Sequence, residues 1–316
     1  KRSIFMNKLK KVGLTALATT LVASSAYAGE MSVSGSASLN YSGVSTNSNV
    51  NPWSMGDSVT FSGGGDLDNG MTVGVSYELD GGNYDDYKLT LGLGDGMGTV
   101  TFSGNSVNAG GVDMVKDIVP TAYTAVYENV NSTDNGVAAG IGGRSTTSMW
   151  GYKNTIEGLT VSLGYNAVNS TAGADGAEAS IGLSYTMDGI TMVAGRFDDG
   201  DVGVHDTVGI KYTAGSVSAA VQRTDINYDG STADQEATRW GIAFNINENL
   251  SVSYGEAETE FLKPSATNVT EDVEGIAIAY TMGSMKIAGN RNEGVNMAGT
   301  AGANDEMTEI AVSFAF

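Results

Sequence analysis

The single histidine of the sequence, His205, is followed directly by Asp206. General acid–base work by an imidazole and a carboxylate needs both aimed at one substrate, and adjacent residues of an extended chain point to opposite faces. A catalytic role is therefore not expected, and the protein is not read as an enzyme. Asp198, Asp199, Asp201 and Asp206 offer the oxygen ligands that calcium takes, but without the spacing of a calcium loop. Cysteine is absent, which removes disulfides, cysteine metal clusters and a thiol for a lipid anchor. The 44 glycines form neither a phosphate-cradling motif with lysine nor a calcium-binding nonapeptide repeat. No metal and no cofactor is expected.

The arrangement of apolar residues is more informative. Met31, Val33, Ala37, Leu39 and Tyr41 alternate with Ser32, Ser34, Ser36, Ser38 and Asn40 over a length that suits a tilted membrane-crossing strand. The same period of two returns at Met71 to Leu79, Tyr87 to Leu93, Leu159 to Tyr165, Ala177 to Met187, Val208 to Tyr212, Trp240 to Ile246, Leu250 to Tyr254, Ile276 to Met282 and Ile310 to Phe316. Helical spacing does not produce such runs. Between them, short turns at 68–70, 95–98, 155–158, 188–189, 214–215, 247–249 and 283–284 alternate with longer polar loops near 43–57, 80–85, 104–146, 166–176, 198–205, 225–235, 255–272 and 290–305. Tight turns need the positive φ that glycine and asparagine allow, and each short turn carries one of them. Seven turns and eight loops imply sixteen antiparallel strands. Proline cannot donate to a ladder, and Pro52, Pro120 and Pro264 all fall in the expected loops.

Aromatic positions sort to two ends of these strands. Tyr185, Tyr212, Phe244 and Tyr280 precede short turns, whereas Tyr41, Tyr77, Tyr165 and Tyr254 precede long loops. Two aromatic girdles of that kind mark the two interfaces of a transmembrane barrel, against a periplasmic sandwich. The parity of each strand turns Lys88, Lys153, Lys211, Arg239 and Lys286 inward, while Arg196 and Arg223 stay ambiguous.

The first residues read as an address. Met6 opens a short basic region, an apolar run follows from Val12 to Val22, and Ala26-Tyr27-Ala28 forms an Ala-x-Ala cleavage site. A secretory signal peptide over residues 1–28 is expected, leaving a single barrel domain over 29–316. Five of the basic residues lie in that leader, so the remainder has 11 basic against 36 acidic side chains, net −25. Such a charge excludes nucleic acid as a partner.

The sequence closes with Glu309 to Phe316 alternating up to a terminal phenylalanine. This resembles the assembly signal of outer-membrane barrels, read by the barrel-assembly machinery. With the first strand MSVSGSASLNY, the hairpin GGGDLDNGMTVGVSYEL and a long loop after the fifth strand, the chain resembles the Gram-negative general porins. The resemblance implies an all-β, sixteen-stranded transmembrane barrel in the outer membrane, among its lipids and lipopolysaccharide. It also implies a homotrimer with a water-filled pore for small polar solutes and ions, narrowed by an inward-folded third loop. That loop, 104–146, carries Asp113, Lys116, Asp117, Glu128 and Asp134. On the family pattern Asp113 and Asp117 would face some of Lys88, Lys153, Lys211 and Arg239 across the constriction, where opposed charges select ions by sign. Arginine is scarce, with five beyond the leader, so a dense arginine ladder is not expected and the net charge points to weak cation selectivity. A substrate-specific porin, or an adhesive barrel with a closed lumen, are the competing readings.

Overall fold

The structure is a computed structural model that describes residues 31–44, 51–104, 111–127, 149–167, 176–200, 203–263 and 267–316. The expected leader, Glu128, Asp134 and Pro264 lie outside the described residues. Sixteen strands follow one another: β1 (Ser32–Val44), β2 (Trp53–Asp66), β3 (Thr72–Asp80), β4 (Asn83–Gly92), β5 (Thr99–Gly104), β6 (Met149–Ile156), β7 (Leu159–Asn166) and β8 (Glu178–Met187) in the first half. The second half comprises β9 (Ile190–Asp198), β10 (Gly203–Ala214), β11 (Val217–Tyr228), β12 (Asp234–Asn245), β13 (Leu250–Leu262), β14 (Val269–Met282), β15 (Met285–Val295) and β16 (Asp305–Ala315).

Each strand pairs antiparallel with its sequence neighbours, and β1 pairs with β16 to close the barrel. Closure leaves no edge of unpaired backbone groups, which is what allows a sheet to stand in lipid. The seam is sealed by reciprocal backbone bonds between Gly35 and Phe316, whose ring lies where a Cβ on Gly35 would have to sit. The hairpin residues Asp188 and Gly189, with φ of 50° and 81°, and Glu157 and Gly158, with φ of 49° and 86°, take the left-handed conformations that keep the turn twisted with its strands.

Directly paired residues of an antiparallel sheet share a face. Following the registers from Val208 and Ile210 on β10 around the wall therefore assigns two faces. The outward one holds Leu39, Val75, Leu89, Leu163, Leu183, Ile242 and Ile278, large apolar side chains left exposed or half-buried by the fold itself. Several strands run further than their hydropathy suggests, β13 to Leu262 and β15 to Val295. There the outward positions become Glu256, Glu258 and Glu260, or Arg291 and Glu293, so the apolar alternation stops while the ladder continues. Arg196 and Arg223 are also outward, paired with Asp206 and with Asp225 and Glu236.

Candidate pore constriction

The inward face of β7 to β14 is lined at mid-height by Gly164, Gly182, Gly195, Gly209, Gly241, Gly255 and Gly275, one per strand except on β11, where Gln222 takes that place. Gly182 pairs with Gly195, and Gly241 with Gly255, which pairs with Gly275. A mid-strand glycine marks a place where something approaches the backbone closely. Here it is the third loop, residues 111–127. A Cβ on Gly195 would stand 2.7 Å from Val112 Cγ2, one on Gly209 2.7 Å from Ile118 Cδ1, and one on Gly241 2.8 Å from Val119 Cγ1. One on Gly182 would collide with the carbonyl oxygen of Gly111.

Polar side chains at the remaining inward positions tie the loop backbone to the wall. Ser162 Oγ accepts from Gly111 N at 2.6 Å, Ser180 Oγ from Val112 N at 3.1 Å, Gln222 Oε1 from Ile118 N at 3.1 Å and Ser253 Oγ from Ala122 N at 2.9 Å. Gln222 Nε2 and Asn292 Nδ2 donate in return to the carbonyls of Val115 and Ala125. Buried backbone groups need such partners once water is displaced. Val112, Val115, Met149, Val193 and Phe197, with Ile118 against them, form a small apolar core on the inside of the barrel. This explains why β9 shows no clean alternation: Val193 and Phe197 are buried beneath the loop while Ile190 and Met192 face outward.

The charged residues expected at the constriction divide into groups. Arg239 Nη1 donates to Asp117 Oδ1 at 2.9 Å, and its guanidinium lies 4.2 Å from the ring centroid of Tyr127, whose hydroxyl donates to the same Asp117 oxygen. The Arg239 side chain is 2% exposed against 40% for Asp117, so this cation is a fastening under the loop and does not stand across an opening from it. Asp113 is held at 2.9 Å by Lys116 three residues on. Lys286 approaches the Tyr123 ring, its Nζ 5.8 Å from the centroid. Lys88, Lys153 and Lys211 share the inward face without an ion pair among the described residues. Lys88 lies within reach of Asp86, which also feels the charges of Asp85, Glu78 and Asp80. Asp80 and Asp85 fall where the sequence suggested loop, while Glu78 lies in the expected strand, and the registers Thr60 with Glu78 and Ser58 with Asp80 put both on the inner wall.

A second segment folds inward at the outer end of β13 to β15. Met297 is buried, and Glu271 accepts from the amide of Ala298 at 2.5 Å. Asn296 and Ala298 hold φ of 55° and 50°, and Gly299 lies against the Phe261 ring.

On the outer face, Tyr41, Tyr77, Tyr165 and Tyr254 lie toward the long-loop end, and Tyr185, Tyr212, Phe244 and Tyr280 toward the short-turn end. The first belt also contains residues that tyrosine positions alone do not show: Trp53 packs edge-on against Tyr41, Trp150 against Phe102, and Trp240 beside Tyr254. These are all three tryptophans of the sequence, and an amphipathic ring at a membrane interface is the signal that could have placed them.

A closed sixteen-stranded barrel with an apolar outer band, a polar inner wall and a loop fastened against that wall defines an outer-membrane channel of the porin class. The chain belongs to the Gram-negative porin family, whose model matches residues 13–313. Family and fold both indicate a channel rather than an enzyme, in the outer membrane of a Gram-negative bacterium. Among solved structures, a loop L8 deletion mutant of OmpT, an outer membrane protein of Vibrio cholerae, superposes with a TM-score of 0.71 at 11% identity over 91% of this chain and 99% of that one. The trimer form of OmpT gives 0.70 at 10% over 91% and 99%. A multiply substituted mutant of Rh. blastica porin gives 0.63 at 15% over 91% and 100%. At these identities the likeness concerns the fold. A search among curated proteins found no sequence match.

Proposed function

We propose that the protein is a passive diffusion pore for small hydrophilic solutes and ions, weakly cation-preferring and assembled as a homotrimer. The observation that carries this reading is the inner wall of β1 to β5. Between glycines at 56, 64, 74 and 92 its described side chains are polar, and its serines and threonines are exposed or half-buried, apart from Ser103, while the loop lies against the opposite side. A fastened loop narrows a lumen without filling it. Cation preference rests on the acidic excess and on Glu78, Asp80 and Asp86, for which no ion pair occurs among the described residues. A trimer is supported by the outward faces of β1, β2 and β3, apolar or glycine apart from Asp57, a surface suited to a second copy. On the same reading residues 1–28 are a leader removed on export, Phe316 is the signal for the barrel-assembly machinery, and the outer wall meets membrane lipid and lipopolysaccharide.

The test is conductance of the reconstituted protein in planar bilayers with graded neutral solutes added. Stepwise insertion, partial block that falls off with solute size and a cation-directed reversal potential are expected. A folded protein that never conducts would overturn the diffusion pore, and an anion-directed potential would overturn the charge argument.

A further inference from the structure

The uncovered wall has a chemistry that the pore reading leaves unused. Starting from Ser162 on β7, which touches the loop and so faces inward, the registers run Ser162 to Lys153, Lys153 to Thr99, Thr99 to Gly92, Gly92 to Thr72, and across β3 and β2 to β1. That parity places Ser34, Ser36, Ser38, Ser58, Thr60 and Ser62 together on the lumen face of β1 and β2. Their hydroxyls are within mutual reach: Ser36 Oγ lies 3.0 Å from Ser58 Oγ, and Asn40 Nδ2 donates to Ser38 Oγ at 2.9 Å. Gly56 keeps its place open beside them, since a Cβ there would stand 2.9 Å from Ser38 Oγ. Every described aromatic side chain of β1 to β5, from Tyr41 and Trp53 to Tyr87 and Phe102, shares the outward face. This wall therefore offers no ring for a solute to stack on and no charge on β1 or on the inward positions of β2 from Ser54 to Ser62.

A hydroxyl both donates and accepts, and paired strands repeat it about every 5 Å across the sheet and about 7 Å along it. A solute with a hydroxyl on each carbon can exchange its water for such a wall one group at a time, so that few polar groups are left unsatisfied at any step. An ether chain of the same girth accepts but does not donate and satisfies half of the wall. On the other side the nearest loop charges are already engaged, Asp117 by Arg239 and Asp113 by Lys116, which weakens any grip on a solute's charge.

We infer that the hydroxyl face of β1 and β2 is a specificity-determining surface that favours neutral polyhydroxylated solutes, open-chain polyols and small sugars, over equally sized solutes that cannot donate hydrogen bonds. This inference rests on the diffusion-pore reading.

The experiment compares the flux of sorbitol with that of an oligo(ethylene glycol) dimethyl ether, which has no hydroxyl, of matched hydrodynamic size through the full protein in liposomes. The ratio of the two is independent of how much protein inserts. The unmodified protein passes sorbitol faster. In a variant carrying Ser34→Ala, Ser36→Ala, Ser58→Ala, Thr60→Val and Ser62→Ala the ratio falls about two- to tenfold, the worth of one net hydrogen bond. Ser36→Thr with Ser58→Thr keeps the hydroxyls in a slightly narrower lumen and retains the preference. Equal fluxes in the unmodified protein, or a ratio unmoved by the alanine and valine set, would overturn the inference while leaving the pore intact. Exclusion of both solutes would overturn the pore reading, and this inference with it.

Discussion

The inner wall of β1 and β2 carries a run of hydroxyls, Ser34 to Ser38 and Ser58 to Ser62, whereas the wall of β8 to β14 is dominated at mid-height by glycine, and the difference follows from what lies against each. On the covered side, loop side chains and, at Gly182, loop backbone press on the strand backbone, so near that even a methyl group at Gly182 or Gly195 has no room. Dispersion contacts and backbone hydrogen bonds hold that side. On the open side nothing described rests on the wall, and its side chains are small, polar and half-exposed. One sheet thus makes both a bearing surface and a wetted one by changing the residues of a single parity. Charge follows the same division. The loop carboxylates Asp113 and Asp117 are paired at short range, whereas on the open side Asp86 is met by Lys88 through space with Glu78 and Asp80 nearby.

The largest effect is expected where the covered side buries a charge. Removing Asp117 leaves the guanidinium of Arg239, 2% exposed, with the Tyr127 ring as its remaining described partner. Deleting one member of a buried pair costs about 3–5 kcal/mol, and lumen water reaching the loop places this site at the lower end. Arg239→Met leaves the carboxylate, which is 40% exposed and can be hydrated, so its cost is about 1 kcal/mol or less. Asp117→Ala should therefore lower the temperature at which the folded band is lost on a gel, and raise open-channel noise, far more than Arg239→Met. Equal effects would mean that the pair is not the fastening.

Next in size is overpacking of the glycine lane. Gly195→Val must move Val112 or Val115, 2.7 and 2.9 Å from the new Cβ, at a cost of about 1–3 kcal/mol that displacement of the loop relieves. Single-channel conductance should rise. Gly56→Val on the open wall meets the movable hydroxyl of Ser38, and conductance should fall slightly. If both substitutions change conductance in the same direction, the two walls are not different in kind.

Much of this was legible in the sequence, for reasons that also explain what was not. Lipid imposes alternation, so the sixteen strands and most short turns could be read from period-two runs such as Ile276 to Met282. Where the strands leave the apolar band the constraint is lost, and the outer ends of β13 and β15 read as loop although the ladder continues. Inward parity placed Arg239 on the lumen face, but burial beneath the loop depends on contacts more than a hundred residues away in sequence, such as Ile118 with Gln222. The lane of inward glycines left a trace: Gly182, Gly195, Gly209, Gly241 and Gly255 occupy interior positions of alternating strands, where a turn cannot explain them. Glu78 falls within the alternating run Met71 to Leu79, but Asp80 was read as loop because a register shift between β3 and β4 near Tyr77 and Leu79 interrupts the pattern there.

A smaller effect separates the two sets of carboxylates. Glu78→Gln with Asp80→Asn removes open-wall charges that face water, each acting on a passing ion by less than about 1 kcal/mol. The cation-to-anion permeability ratio, read from the reversal potential under a salt gradient, should fall about twofold. Asp113→Asn with Lys116→Gln removes a pair whose charges already cancel and should leave the ratio nearly unchanged. A larger shift from the second variant would move selectivity to the loop.

The smallest effect uses no substitution. The Debye length shortens from about 10 Å at 0.1 M salt to about 3 Å at 1 M. Charges that act across a hydrated lumen lose their influence over that range, while contacts such as Arg239 with Asp117, made at 2.9 Å with the guanidinium buried, do not. Cation preference should therefore fade toward unity as salt rises, and conductance should keep tracking bulk conductivity, because the loop stays fastened. Loss of that tracking would show that the fastening is itself screened. Preference that persists at 1 M would place the selecting carboxylates within a few ångströms of the ion path, in a passage narrower than a wetted wall opposite a fixed loop provides.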